Sequence, residues 1–237
     1  MVKRIIVMAM VFAPMIAGAQ DKVEASFGAD VVSNYVWRGQ DLGNAAVQPS
    51  LSVAYKGLSL GVWGSYGLVD SDDTKELDFT ASYSSGGFTV AVTDYWFSGV
   101  AERDRYFLYD AHRTAHIFET NVGYDFGKCS VNWYTNFAGS DYRPDGKRAY
   151  SSYVEIAAPF KLGDLQWSAA VGAVPFKSAA TYLDASGNPV DGFAVTNITL
   201  RASRDIKITD HFSLPAFASV TANPNSQKMY LTIGLSL

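Results

Sequence analysis

Six ionisable side chains, Asp30, Asp78, Glu119 and Glu155 against Arg38 and Arg201, fall on the polar faces of segments that alternate at period two. Carboxylates and guanidiniums spaced along extended chain, with no histidine or cysteine among them, suit a lining that sorts ions. Asn34, Asn121, Trp63, Tyr134, Tyr153 and Tyr230 share those faces, and their bulk would narrow the lined space. These twelve residues are the candidate pore-lining set. A second reading stays open at this point: Arg38 and Arg201 merely neutralise carboxylates in a wet interior.

Bond-breaking chemistry finds less support. Cys129 is the only cysteine and the three histidines are scattered, so no catalytic set, metal centre or cofactor site is expected. A lipid hydrolase on an outer barrel face would need Ser and His side by side with Asn or Asp behind them. His116 has Phe118 two positions on, His112 with Thr114 lies in a loop, and His211 lies at a short turn. A net charge of −4 argues against a nucleic-acid partner.

The elements that must position the lining are strands. Ala25–Arg38 places Ala25, Phe27, Ala29, Val31, Ser33, Tyr35 and Trp37 on one face, and Ser26, Gly28, Asp30, Val32, Asn34, Val36 and Arg38 on the other. The same alternation recurs through about twelve segments, from Val47–Lys56 to Met229–Leu237. Turns such as Lys56-Gly57, Gly86-Gly87 and Gly127-Lys128 alternate with long polar loops, among them Ser98–Ala115 and Pro175–Asp191. The expected fold is therefore all-β: a transmembrane antiparallel up-and-down β-barrel of bacterial outer-membrane type, with Ser98–Ala115 able to cover its mouth.

Outward aromatics should form two girdles. Phe27, Tyr55, Tyr83, Phe88, Tyr124, Phe126, Phe160 and Phe212 lie beside the short turns; Trp37, Tyr66, Trp96 and Phe137 lie toward the long loops. One residue breaks the pattern. Asp94 shares the lipid face of Phe88, Val90 and Val92, which calls for a bulge near Thr93 or a lumen-facing half-strand.

Residues 1–19 read as a cleaved signal peptide: Lys3 and Arg4, an apolar stretch from Ile5 to Ile16, and Ala17-Gly18-Ala19 for the peptidase. Residues 20–237 then form a single barrel domain. Outer-membrane lipids and the outer-membrane assembly machinery are the expected partners.

The run Val32-Ser33-Asn34-Tyr35-Val36-Trp37-Arg38-Gly39, with Pro49, Gly61-Val62-Trp63-Gly64-Ser65, Leu214-Pro215 and Asn223-Pro224, resembles the TorF-like porins, also described as the Gcw-chp outer-membrane barrels. The resemblance spans nearly the whole mature chain and implies a barrel with a pore, but no substrate and no catalytic residues. The chain departs from many such barrels by ending in Leu237 rather than an aromatic.

Two function classes follow. One is a passive channel for ions or small hydrophilic solutes, with mild cation preference set by Asp30, Glu119 and Glu155 over Arg201. The other is a closed barrel acting as an adhesin or scaffold, or as a lipid-modifying enzyme.

Overall fold

The computed structural model describes residues 22–70, 73–98, 105–179 and 181–237, so the leader read in residues 1–19 lies outside the described residues. The chain runs through β1 (Glu24–Val32), β2 (Tyr35–Trp37), β3 (Gln40–Gly43), β4 (Ala46–Tyr55) and β5 (Leu58–Gly67). β6 (Lys75–Ser85), β7 (Phe88–Ser98), β8 (His116–Asp125), β9 (Ser130–Gly139) and β10 (Ser152–Leu162) follow. β11 (Leu165–Val174), β12 (Ala194–Lys207), β13 (Ser213–Asn223) and β14 (Lys228–Ser236) complete it.

Every strand except β2 and β3 joins one antiparallel barrel, in which each pairs with its chain neighbours and β1 closes the ring between β4 and β14. Closure is made by Asp30, Val31 and Val32 opposite Ser236, Leu235 and Gly234, and by two backbone bonds between Ala29 and Leu237. With twelve strands at the usual tilt and spacing, the backbone cylinder is roughly 24 Å across.

The period-two pattern decides which way each side chain points. Leu60 (67% exposed), Leu231 (61%) and Ile233 (56%) stand on the outside, with Ile156, Leu200 and Val220. An outer wall of aliphatic side chains that no protein covers is solvated by hydrocarbon in a membrane barrel. The short-turn girdle from Phe27 to Phe212 is exposed as expected, and so are Tyr66 and Phe137 at the long-loop end.

The buried apolar residues lie inside the cylinder. Tyr153, Val174, Tyr182 and Val190 pack together, with Trp37, Tyr134 and Ala194 against them. Tyr182 and Val190 belong to the connection between β11 and β12, so part of that loop folds inward to build the core.

Three expectations need correction. Ala25–Arg38 is not one strand: β1 stops at Val32, and the chain bends at Ser33 and Asn34 into the small β2–β3 hairpin. Trp37 accordingly leaves the outer girdle and stacks on Tyr182 inside the barrel. The described part of the Ser98–Ala115 loop does not cover the mouth but packs outside, where Tyr106 meets Phe79 and Trp96.

Asp94 needs neither a bulge nor a turn toward the lumen. β7 pairs with β6 and β8 in unbroken register, and Asp94 faces outward. Its carboxylate lies 2.7 Å from Nδ1 of His116, whose Nε2 lies 2.6 Å from the Tyr106 carbonyl oxygen. A carbonyl oxygen can only accept, so Nε2 carries a proton and donates it. The outward Asp94 carboxyl thereby has a hydrogen-bond partner, and the rings of Tyr106 and Tyr109 pack against that of His116.

Candidate functional site

The site begins with the turn at the tip of the inner hairpin. Trp37 pairs with Gln40 across a two-residue turn, Arg38-Gly39, with φ of 49° and 77°. Positive φ at both central residues is the requirement of a type I′ turn, which matches the twist of a tight hairpin. Lys56-Gly57 repeats the solution at 48° and 84° between β4 and β5. A non-glycine residue in that region costs on the order of 1 kcal/mol, so Arg38 is held there by what its side chain touches.

Those contacts are many. Nη1 and Nη2 of Arg38 donate to Oε2 and Oε1 of Glu119 at 2.6 and 2.9 Å, a two-pronged pair with side chains 8% and 5% exposed. Nη1 also donates to the Tyr182 hydroxyl at 2.8 Å. The guanidinium carbon lies 4.0 Å from the ring centre of Tyr134, 4.3 Å from Trp37 and 4.7 Å from Tyr153. Tyr95 donates to Oε1 of Glu119 at 2.9 Å, so the carboxylate has a donor even beside the guanidinium. Planar charge matched to a carboxylate fork, with aromatic faces around it, is the environment arginine fills better than lysine.

The hairpin crosses the lumen from wall to wall. At one end the Tyr35 hydroxyl donates to Glu76 on β6 at 2.8 Å. At the other, Asn223 on β13 donates to the Gly39 carbonyl at 2.9 Å. A Cβ at Gly39 would fall 1.8 Å from the carbonyl oxygen of Thr196 on β12. In the ring order, β6 and β12 are separated by five strands on either side, so the hairpin spans a diameter. Its return is tied down by Asp73, which accepts from the backbone and side-chain nitrogens of Asn44 at 3.1 and 2.9 Å. Amide bonds from Asn44 and Asp70 hold the Asp73 carboxyl below the usual carboxylate range.

Beneath the hairpin lies a cavity of about 300 Å³, and every barrel strand except β8 contributes to its wall. Serine and threonine hydroxyls recur around that wall, among them Ser50, Thr80, Ser168, Thr199 and Thr232, between apolar surfaces such as Trp63 and Phe217. Glu155 accepts from the Tyr153 hydroxyl at 2.7 Å and from Asn197 at 3.2 Å. Arg201 lies with its guanidinium carbon 3.5 Å from the Phe217 ring centre.

Eight of the twelve residues expected to line a pore do line this cavity: Asp30, Asn34, Arg38, Trp63, Tyr134, Tyr153, Glu155 and Arg201. Asp78, Glu119 and Asn121 face inward but are buried in the wall. Tyr230 stands opposite the inward Thr221. Of the two readings open for the inward charges, Glu119 follows the second: Arg38 pairs with it. Tyr35 and Trp37, expected on the lipid face, belong to the site, and so does Tyr182. Tyr182 sits in an aperiodic loop and has no sequence signal; Tyr35 and Trp37 share the odd-numbered face of Phe27 and Val31, and only the polar pair Ser33-Asn34 separates them from it.

A family model described as "Bacterial protein of unknown function (Gcw_chp)" matches residues 16–203. None of the curated proteins compared with the chain matches it. Among solved structures, the crystal structure of an outer membrane channel from Pseudomonas putida F1 is similar at 12% identity, covering 94% of this chain and 97% of that one, with a TM-score of 0.41.

Proposed function

The chain belongs to the Gcw_chp family of bacterial proteins, and from that premise we propose that it is an outer-membrane channel for passive diffusion of ions or small hydrophilic solutes, shut in this conformation by the β2–β3 hairpin. The observation that carries the reading is the hydroxyl-lined cavity that runs beneath the hairpin and touches nearly every strand. A barrel serving only as a scaffold has no need of a wet interior, and an apolar filling would stabilise it better. The apolar outer wall supports a membrane address. Export by a leader at residues 1–19, insertion by the outer-membrane assembly machinery and contact with outer-membrane lipids are parts of the same proposal. It invokes no cofactor, nucleic acid or catalytic residue.

The proposal includes mild cation preference. Asp30 and Glu155 line the cavity with no guanidinium chelating them, whereas Glu119 is paired with Arg38, which leaves Arg201 as the opposing charge. An excess of carboxylates favours cations, and screening over about 8 Å at physiological salt keeps the preference small in so wide a lumen.

Solute efflux from proteoliposomes tests this reading. Protein shortened by removal of the 35–43 hairpin should release small solutes and retain large ones, and the full chain should release them more slowly. Absence of release from both proteins, with the barrel shown to be folded, would favour a closed barrel.

A further inference from the structure

The contacts around Arg38 divide into two groups. Trp37 travels with the hairpin. Glu119, Tyr95, Tyr134 and Tyr153 belong to β8, β7, β9 and β10, Tyr182 belongs to the connection between β11 and β12, and none of them travels with the hairpin. What remains is a carboxylate fork already oriented by the Tyr95 hydroxyl, flanked by two tyrosine faces whose centres now lie 4.0 and 4.7 Å from a guanidinium carbon. Little reorganisation is needed, since the Tyr153 ring is fixed by its bond to Glu155 and by Gly172, where a Cβ would fall 1.8 Å from its hydroxyl oxygen.

We infer that this wall-borne cage is a binding site for guanidinium-bearing solutes, and that Arg38 is a tethered occupant which such a solute displaces. The transport consequence rests on the channel reading given above; the cage itself does not. A planar cation with paired N–H donors satisfies both oxygens of Glu119 while its faces meet the rings, and a tetrahedral ammonium can do only part of this. Tethering gives Arg38 an effective concentration in the millimolar range or above, and a free solute must compete with that. Binding in the cage and release of the hairpin are then one event, and the solute opens its own path.

The test is calorimetric titration of the Arg38→Ala protein in detergent, with guanidinium chloride and ammonium chloride as probes and heat-modifiable gel mobility as the check of folding. Saturable guanidinium binding is expected, roughly tenfold or more tighter than ammonium binding, as one additional charged hydrogen bond implies. The unsubstituted protein should bind guanidinium at least tenfold more weakly, and Arg38→Ala combined with Glu119→Gln should lose the binding. If Arg38→Ala does not fold, Arg38→Met keeps the stem of the side chain and carries the same expectations. Equal affinity for the two cations, binding that survives Glu119→Gln, or a folded Arg38 variant that takes up no guanidinium would each overturn the inference. Guanidinium binding in a protein that passes no solute in any form would leave the cage standing and remove the channel.

Discussion

Arg38 and Glu119, 81 positions apart in the chain, meet in the interior of the barrel through two hydrogen bonds of 2.6 and 2.9 Å. The pair joins the tip of an inserted hairpin to the wall, and the rings of Trp37, Tyr134 and Tyr153 surround it. Its position makes it the main electrostatic tie holding the hairpin across the lumen.

Removal of one partner leaves the other charged in a place with little water. Arg38→Ala and Glu119→Ala should each weaken hairpin docking by about 3–5 kcal/mol. The double variant should lose less than the sum, because neither charge is then stranded. Amide hydrogen exchange over residues 35–43 measures this, and β1 and β4 should stay protected throughout.

The assignment of faces is tested one residue apart. Leu200 stands on the outer wall of β12, and Thr199 faces the cavity, bonded at 2.8 Å to both Asn197 and Thr221. Leu200→Arg puts a charge against hydrocarbon and should cost about 2–4 kcal/mol if it lies near the bilayer midplane. Thr199→Arg should cost clearly less. Denaturant titration in lipid vesicles gives both values.

On the outer surface, His116 bridges Asp94 and the Tyr106 carbonyl and so pins the 105–115 segment to the barrel. His116→Ala strands the Asp94 carboxylate and removes the bridge. Trypsin should then cut at Arg105 or Arg113 far faster than in the unsubstituted protein, with the barrel strands left intact. Unchanged cleavage would mean that the aromatic contacts alone hold the segment.

Charge selectivity should follow the carboxylates that no guanidinium chelates. Glu119 is neutralised by Arg38, so the burden passes to Asp30 and Glu155. In a conducting protein, Asp30→Asn with Glu155→Gln should abolish cation preference, and Arg201→Gln should strengthen it. Reversal potentials in a salt gradient read the sign directly.

Much of this architecture was legible because strand alternation and turn chemistry are local. Leu51, Val53 and Tyr55 against Ser50, Ser52 and Ala54 needs only a period of two. Lys56-Gly57 announces a tight turn by itself. Arg38-Gly39 carries the same signal, but the aromatics Tyr35 and Trp37 continue the apolar face of Ala25–Val31, and the only break in the alternation is the polar pair Ser33-Asn34. Ser and Asn both favour turns, so that pair is the sequence's mark of the bend, though a fainter one than glycine or proline. The Arg38 partners could not be read at all, since they come from four distant parts of the chain and depend on closure of the ring. Asp94 lies between these cases. The sequence marks it as costly on the lipid face, and the β7–β8 register that puts Trp96 opposite His116 makes that histidine its diagonal neighbour.

The central claim is that the hairpin shuts a barrel that otherwise conducts, and Gly39 offers a way to undock it without altering a charge. Any side chain at Gly39 strikes the Thr196 carbonyl and is strained by a φ of 77°, so Gly39→Val should keep the hairpin from seating. Single-channel recording in planar bilayers should show rare or small openings in the unsubstituted protein and frequent, larger, mildly cation-selective openings in Gly39→Val. Equal conductance in the two proteins would show that the hairpin is no gate, and silence in both, with folding confirmed by gel mobility, would contradict the channel itself.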